Sequence, residues 1–149
     1  MLQGVYVLVI SVGKDVGINV GRLGRVYFEK GLYAYVGSAQ KGLEKRIERH
    51  LRKDKQKFWH IDYLLDDDSV KVVDIFCKEA GRPEECKIAE EISKIGIPIR
   101  DFASSDCNCK SHLIKLKISD YFQFSKTAFF FLMYKNHKLS RFATTKQSK

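Results

Sequence analysis

The sequence has little proline, two residues in 149, and only ten glycines, too few chain breakers for a disordered chain. It lacks any run near the roughly 18 uninterrupted apolar residues that a membrane-spanning helix needs. The longest candidates are Gly4 to Val12 and Ala128 to Tyr134. The first follows Met1-Leu2-Gln3, with no basic stretch ahead and no small-x-small cleavage site behind, so it reads as a strand rather than a signal peptide. A cytoplasmic protein is expected, with no membrane association. Cysteine is sparse: Cys77, Cys86, Cys107 and Cys109 are too few for a disulfide scaffold, and two of them are one residue apart. Reduced thiols or a metal site are expected instead. Acidic residues are in deficit, 18 against 27 basic ones, and the net charge of +9 favours an anionic partner. Nucleic acid and an acidic membrane both fit that field, and charge does not choose between them.

What is present is 44% apolar and 12% aromatic residues, enough to bury the core of one small domain. Gly4 to Ile10 has Val5, Val7 and Val9 on one side and Tyr6, Leu8 and Ile10 on the other, the pattern of a strand covered on both faces. After a glycine-spaced stretch, Arg25 to Glu29 and Leu32 to Val36 flank Lys30-Gly31 and predict a hairpin. Leu43, Ile47 and Leu51 predict an amphipathic helix over Gly42 to Lys53, with Arg46, Arg49, His50 and Lys53 on the adjoining stripe. A short helix over Phe58 to Leu65 and a strand over Val70 to Cys77 follow. Pro83 opens a helix over Glu84 to Lys94, which Gly96 and Pro98 end. His112 to Ile118 is a last strand, and Asp120 to Lys149 is a Phe-rich and then basic tail with no clear period. The expected fold is α/β in the α+β sense, one small domain with a central mostly antiparallel or mixed sheet flanked by helices.

Three segments carry a resemblance: Gly4-Val5-Tyr6, then Tyr35-Val36-Gly37-Ser38-Ala39, then Lys45-Arg46-Ile47-Glu48-Arg49-His50. In this order they resemble the successive motifs of the GIY-YIG nuclease superfamily, with valine at both isoleucine positions. The chain is most similar to an uncharacterised domain family grouped with those nucleases, which also has an Asp-Cys-x-Cys-x-Ser-His segment, here Asp106 to His112. The resemblance covers about Gly4 to Leu116. It implies a nuclease domain over 1–118, a separate tail over 119–149, and a metal-dependent endonuclease that hydrolyses phosphodiester bonds in DNA rather than RNA. A structure-selective, repair-related role is expected because no separate sequence-reading domain is evident. The competing readings are a nucleic-acid-binding module without turnover and a zinc-stabilised interaction domain.

Phosphodiester hydrolysis requires charge neutralisation at phosphorus, an activated water and a stabilised leaving oxygen. The guanidinium of Arg46 offers a planar fork for two phosphate oxygens, and Arg46 matches the family's catalytic arginine. Glu85 shares a helical stripe with Ile88, Ala89 and Ile92 and so points inward, where a carboxylate needs a partner. By the resemblance it holds Mg²⁺ or Mn²⁺. The resemblance also gives Tyr6 and Tyr35 the task of binding and activating water, and His50, one turn from Arg46, is an alternative proton acceptor. Gly37, Ser38, Lys45, Arg49, Arg52 and Lys53 are the expected nucleic-acid contacts. Of these, Arg49, Arg52 and Lys53 read equally as a solvated helix face or as non-specific backbone contacts.

Cys107, Cys109 and His112 form the sharpest secondary signal. Zinc is disfavoured there, since the one-residue gap is tighter than usual and Cys77 or Cys86 would have to supply a fourth ligand. His112 lining the cleft, or a loop packed by small thiols, are the alternatives. Trp59, His60 and Tyr63 read as helix packing, with Trp59 available to stack on an unpaired base. Tyr6 and Tyr35 lie 29 residues apart, so an inserted segment separates the two motifs. Asn108 is the counterpart suggested for the family's late asparagine.

Overall fold

Nine residues, Gly4–Val12, form the first strand, β1, and their alternation creates two cores. Val5, Val7 and Val9 face a layer containing Ile88, Ala89 and Ile92. Tyr6, Leu8, Ile10 and Val12 face the other, with Leu43, Ile47, Ile61 and Leu64. Successive strand side chains point to opposite faces, so a strand apolar at every position must be covered on both. The structure is a computed structural model and describes residues 3–125, 132–135 and 138–140.

The remaining strands are β2 (Val16–Asn19), β3 (Arg25–Phe28), β4 (Gly31–Ala39), β5 (Val70–Lys78), β6 (Ile97–Pro98), β7 (Leu113–Leu116), β8 (Leu132–Lys135) and β9 (Lys138–Ser140). The helices are α1 (Leu43–Leu51), α2 (His60–Leu65), α3 (Pro83–Ser93) and α4 (Ile118–Ser125). One sheet runs β6-β7-β4-β1-β5-β8-β9, and β2-β3 is a separate ribbon. Every strand pair is antiparallel among the described residues, so the expected α+β class holds and its mixed-sheet variant does not arise. Helices α1 and α2 cover the Tyr6 face, and α3 covers the Val5 face. No helix among the described residues is long and apolar enough to cross a membrane.

The expected hairpin across Lys30-Gly31 does not form. β3 pairs with β2, Val16 opposite Phe28, while β4 has both edges taken, by β1 and by β7. Gly31 sits at the switch between the two sheets with φ 150°, a value side chains disfavour. The segment after Ile118 is also more regular than its sequence predicts. The expected division at 118/119 falls in the first turn of α4, where the Tyr121 hydroxyl donates to the Asp74 carboxylate on β5 at 2.6 Å. β8 continues the sheet beside Phe76 and Cys77. The Phe129-Phe130-Phe131 run and the basic residues Arg141, Lys146 and Lys149 lie outside the described residues.

The ladder between β4 and β7 spans Leu32 to Tyr35, and the Val36 N–H then donates to the His112 carbonyl at 2.9 Å. Past that point, Gly37 and Ser38 continue along β1, opposite Tyr6 and Val5. The sheet is therefore open on one side at this level, among the described residues, and side chains from both layers can meet there. Tyr6 lies directly over Gly37, where a Cβ would come within 2.6 Å of the phenol carbon and oxygen. Gly37→Ala is expected to cost about 1–3 kcal/mol in urea denaturation by forcing the buried ring to move. At Gly81 a new Cβ would meet only Pro83 at 3.6 Å, an ordinary contact. Gly81→Ala should therefore stay within about 0.5 kcal/mol of the parent, and equal losses at both positions would refute the close-approach argument.

Candidate functional site

A cleft of about 590 Å³ occupies this open end of β4, lined by Tyr6, Tyr35, Gly37, Ser38, Arg46 and Glu85 with Lys41, Trp59 and Arg82. The two tyrosines come from neighbouring strands on one face, their ring centroids 6.4 Å apart. Arg46 comes from α1, and its Nη1 donates to the Ser38 carbonyl at 3.0 Å. Its guanidinium carbon lies 4.5 Å from the centre of the Trp59 ring, a cation–π contact that fixes the side chain in the cleft. Glu85 comes from the first turn of α3 in the opposite layer. Its stripe companions Ile88, Ala89 and Ile92 are buried, as the helical spacing predicts.

His50 is one turn beyond Arg46 and lies behind Tyr6, with 2.6 Å between its Nε2 and the phenol oxygen. It is 2% exposed, and its Nδ1 has no hydrogen-bond partner among the described residues. Burial pushes its pKa down to about 3, against the attraction of Asp62 and aided by Lys55, Arg46 and Arg49. Burial also raises Tyr6, more than the Arg46 charge and hydrogen bond lower it, and raises Tyr35 in the same way. At neutral pH the Tyr6–His50 pair is thus a neutral phenol against a neutral imidazole.

Glu85 has the opposite character. Burial works to raise its pKa, but hydrogen bonds from His112 and Ser38, with the charges of His112 and Arg82, hold it below the ordinary glutamate value. Its Oε1 accepts from the Ser38 hydroxyl at 2.5 Å, and its Oε2 lies 2.8 Å from His112 Nδ1. The cleft therefore contains an ionised carboxylate on one wall and a guanidinium on another.

The expected nucleic-acid contacts divide. Gly37 and Ser38 line the cleft. Lys45, Arg49 and Arg52 border a second depression along α1. Arg49 is committed to a bidentate ion pair with the fully buried Asp62, both N–O distances 2.9 Å. Asp62 in turn accepts the Phe58 and Trp59 backbone N–H groups at the start of α2, which with Arg49 keeps its pKa below the usual carboxylate range despite burial. Lys53 donates to the Leu65 carbonyl at 2.7 Å. Asn108 borders a different depression, with Glu90 and Lys94. Lys41 and Arg82 join the cleft from loops with no periodic pattern to give their direction, and the pairing of Ser38 with Glu85 has no signal in the sequence.

Beside Glu85, the ligand atoms of Cys86, Cys107, Cys109 and His112 all lie within 4.8 Å of one another. This cluster could bind a metal ion. The expectation against zinc rested on the tight Cys-x-Cys spacing and an uncertain fourth ligand. The fold supplies that ligand, since α3 brings Cys86 to the loop preceding β7, while Cys77 stays buried in β5. Three thiols and an imidazole are soft donors, closer to a zinc set than to the oxygen set of magnesium.

The family model described as Domain of unknown function DUF123 matches residues 5–132. No curated protein and no solved structure matches the chain.

The buried imidazole has a consequence for stability. Between its folded pKa of about 3 and its ordinary value of 6.5, His50 binds a proton in the unfolded chain but not in the native one. Stability therefore falls as pH drops through 6.5, by about 1.4 kcal/mol for each pH unit once the unfolded imidazole is charged. His60, lowered by burial, adds a slope of the same sign. Urea denaturation between pH 6.5 and 5 should show a steeper loss in the parent than in His50→Gln, and parallel slopes would refute the neutral assignment.

Proposed function

The chain belongs to the Domain of unknown function DUF123 family, and from the geometry of its cleft we propose that it is a GIY-YIG-type, divalent-metal-dependent endonuclease acting on DNA. The observation that carries this reading is the convergence of Tyr6, Tyr35, Arg46 and Glu85, from two strands and two helices in separate layers, on one cleft. A basic rim of Lys41 and Arg82 suits a polyanion. Phe58, 75% exposed and edge-on to Trp59 at 5.4 Å, offers an aromatic surface for an unpaired base.

Each group has a task in hydrolysis. Arg46 binds two non-bridging phosphate oxygens and neutralises the charge that grows on them as water attacks phosphorus. The Tyr6 phenol orients that water, accepts its proton at the phenol oxygen and passes its own proton to His50 Nε2, 2.6 Å away. Desolvation disfavours the imidazolium that results, and the negative charge on the phosphoryl group compensates it. Tyr35 closes the apolar side of the water site. Glu85 fits a hard divalent cation: it is an ionised oxygen donor at the cleft wall, and each of its two hydrogen-bonded oxygens keeps a free lone pair. When bound there, Mg²⁺ or Mn²⁺ would supply Lewis-acid stabilisation of the phosphate and leaving oxygens.

Purified protein incubated with labelled single-stranded, duplex, flapped and branched DNA should cut at least one substrate with Mg²⁺ or Mn²⁺ and none with EDTA. Arg46→Ala, Glu85→Ala and Tyr6→Phe should each slow cutting by about 10²–10³-fold. Arg52→Ala should change only the salt dependence of binding. Salt-sensitive binding with every substrate intact would instead identify a binding module without turnover.

A further inference from the structure

We propose that Cys86, Cys107, Cys109 and His112 form a closed zinc site, and that zinc bound there fixes His112 as the positioning residue for the Glu85 carboxylate. Metal binding at this cluster does not depend on the activity proposed for the cleft. Tetrahedral zinc with sulfur and nitrogen ligands at about 2.3 and 2.0 Å places neighbouring ligand atoms about 3.5–3.8 Å apart. His112 Nε2 lies 3.4 Å from Cys107 Sγ and 3.9 Å from Cys86 Sγ, and the whole set fits within 4.8 Å. The two imidazole–sulfur distances lie close to that spacing, and the four ligand atoms are near enough to share one ion. Cys86, Cys107 and Cys109 form no disulfide among the described residues and are available as thiol ligands.

The imidazole is oriented for ligation. Its Nδ1 faces two acceptors, Glu85 Oε2 at 2.8 Å and the Val36 carbonyl at 3.2 Å. The Val36 carbonyl can only accept, so Nδ1 carries the proton and the lone pair sits on Nε2, toward the sulfurs. A ligating histidine that donates its other ring N–H to a carboxylate is the arrangement by which metal sites fix ring orientation. Here the carboxylate also lines the cleft, and its second oxygen is held by Ser38.

The chain path gives the ion a mechanical role. Cys86 follows Glu85 on α3, whereas Cys107 and Cys109 lie in the loop that ends at His112, just before β7. An ion shared among them ties that loop to α3 across the open side of β4. The loop is otherwise secured near its ends: the Asp101 N–H donates to the Lys110 carbonyl at 2.8 Å and the His112 N–H to the Phe102 carbonyl at 2.9 Å. Asp101 and Ala103, with φ 65° and 58°, flank the buried Phe102, so this segment holds an uncommon backbone path.

The test is metal analysis of the full-length, reduced protein purified without chelators, with cobalt reconstitution as an independent probe. One zinc per chain is expected, and Co²⁺ should give the intense visible bands of a tetrahedral thiolate complex. Cys109→Ser should lose both; if that variant does not fold, the cobalt spectrum of the parent still decides. In competition with a chromophoric chelator, Glu85→Ala should bind zinc about 10–100-fold more weakly. Arg46→Ala, which removes the proposed cleavage, should leave zinc affinity unchanged, so failure of the zinc site and failure of the nuclease reading are separately visible. Substoichiometric zinc with no cobalt–thiolate bands, or stoichiometric copper or iron in its place, would overturn the site. Equal zinc affinity in Glu85→Ala and the parent would overturn the link to Glu85.

Discussion

A carboxylate withdrawn from water stays charged only if hydrogen bonds replace its hydration, and the arrangement around the cleft follows from how Glu85 meets that condition. Its two donors come from different places. Ser38 is set by the register of β4, two residues past Val36, whose N–H makes the last bond to the chain leading into β7. His112 is set by its own backbone, whose carbonyl accepts the Val36 N–H in that last rung. The charge on Glu85 therefore depends on the joint placement of β4, α3 and the loop before β7. Shifting any one of them by an ångström takes a donor from a half-buried carboxylate oxygen and weakens the hold on its charge.

Strand parity explains why such a site can exist only at the end of the sheet. Tyr6 and Tyr35 point into the layer covered by α1 and α2, whereas Val5, Val36 and the apolar stripe of α3 belong to the other. In the middle of the sheet a residue from α3 and a tyrosine of β1 are separated by the backbone. At Gly37 and Ser38 the neighbouring strand has ended, and Glu85 reaches the same cavity as Arg46. Gly37 completes the geometry, because any side chain there would occupy the volume of the Tyr6 ring.

Much of this was legible in the sequence. Full burial of β1 on both faces follows from its unbroken apolar alternation, and the inward stripe of α3 singles out Glu85 among several acidic neighbours. Pairings were less legible. The hairpin expected across Lys30-Gly31 fails because local turn chemistry cannot report that both edges of β4 are claimed by β1 and by β7, the latter nearly eighty residues away. The basic stripe of α1 was equally ambiguous. Arg46, Arg49 and Lys53 look alike in a helical projection, yet Arg49 neutralises buried Asp62 and Lys53 caps the carbonyls of Leu65 and Asp67. Lys55 likewise donates to the carbonyls of Arg49, His50 and Arg52 at the end of α1. Much of the positive charge on this helix and its flank therefore serves the fold, and a count of lysines and arginines overstates the surface open to a polyanion.

The fourth cysteine shows the same limit from the other direction. Cys107, Cys109 and His112 announce themselves by proximity in sequence, but the choice between Cys77 and Cys86 as a fourth ligand is made only by the path of α3 past the loop. Placing a soft donor and a hard one side by side at Cys86 and Glu85 has a chemical logic. Thiolates discriminate against magnesium, and a carboxylate discriminates much less among hard cations. On the two readings proposed above, ions of different character would occupy adjacent sites without exchanging places, the first through four protein ligands with no open position, the second through an oxygen that keeps lone pairs for solvent and substrate. His112 is the physical boundary between them, one ring nitrogen turned to sulfur and the other to the carboxylate.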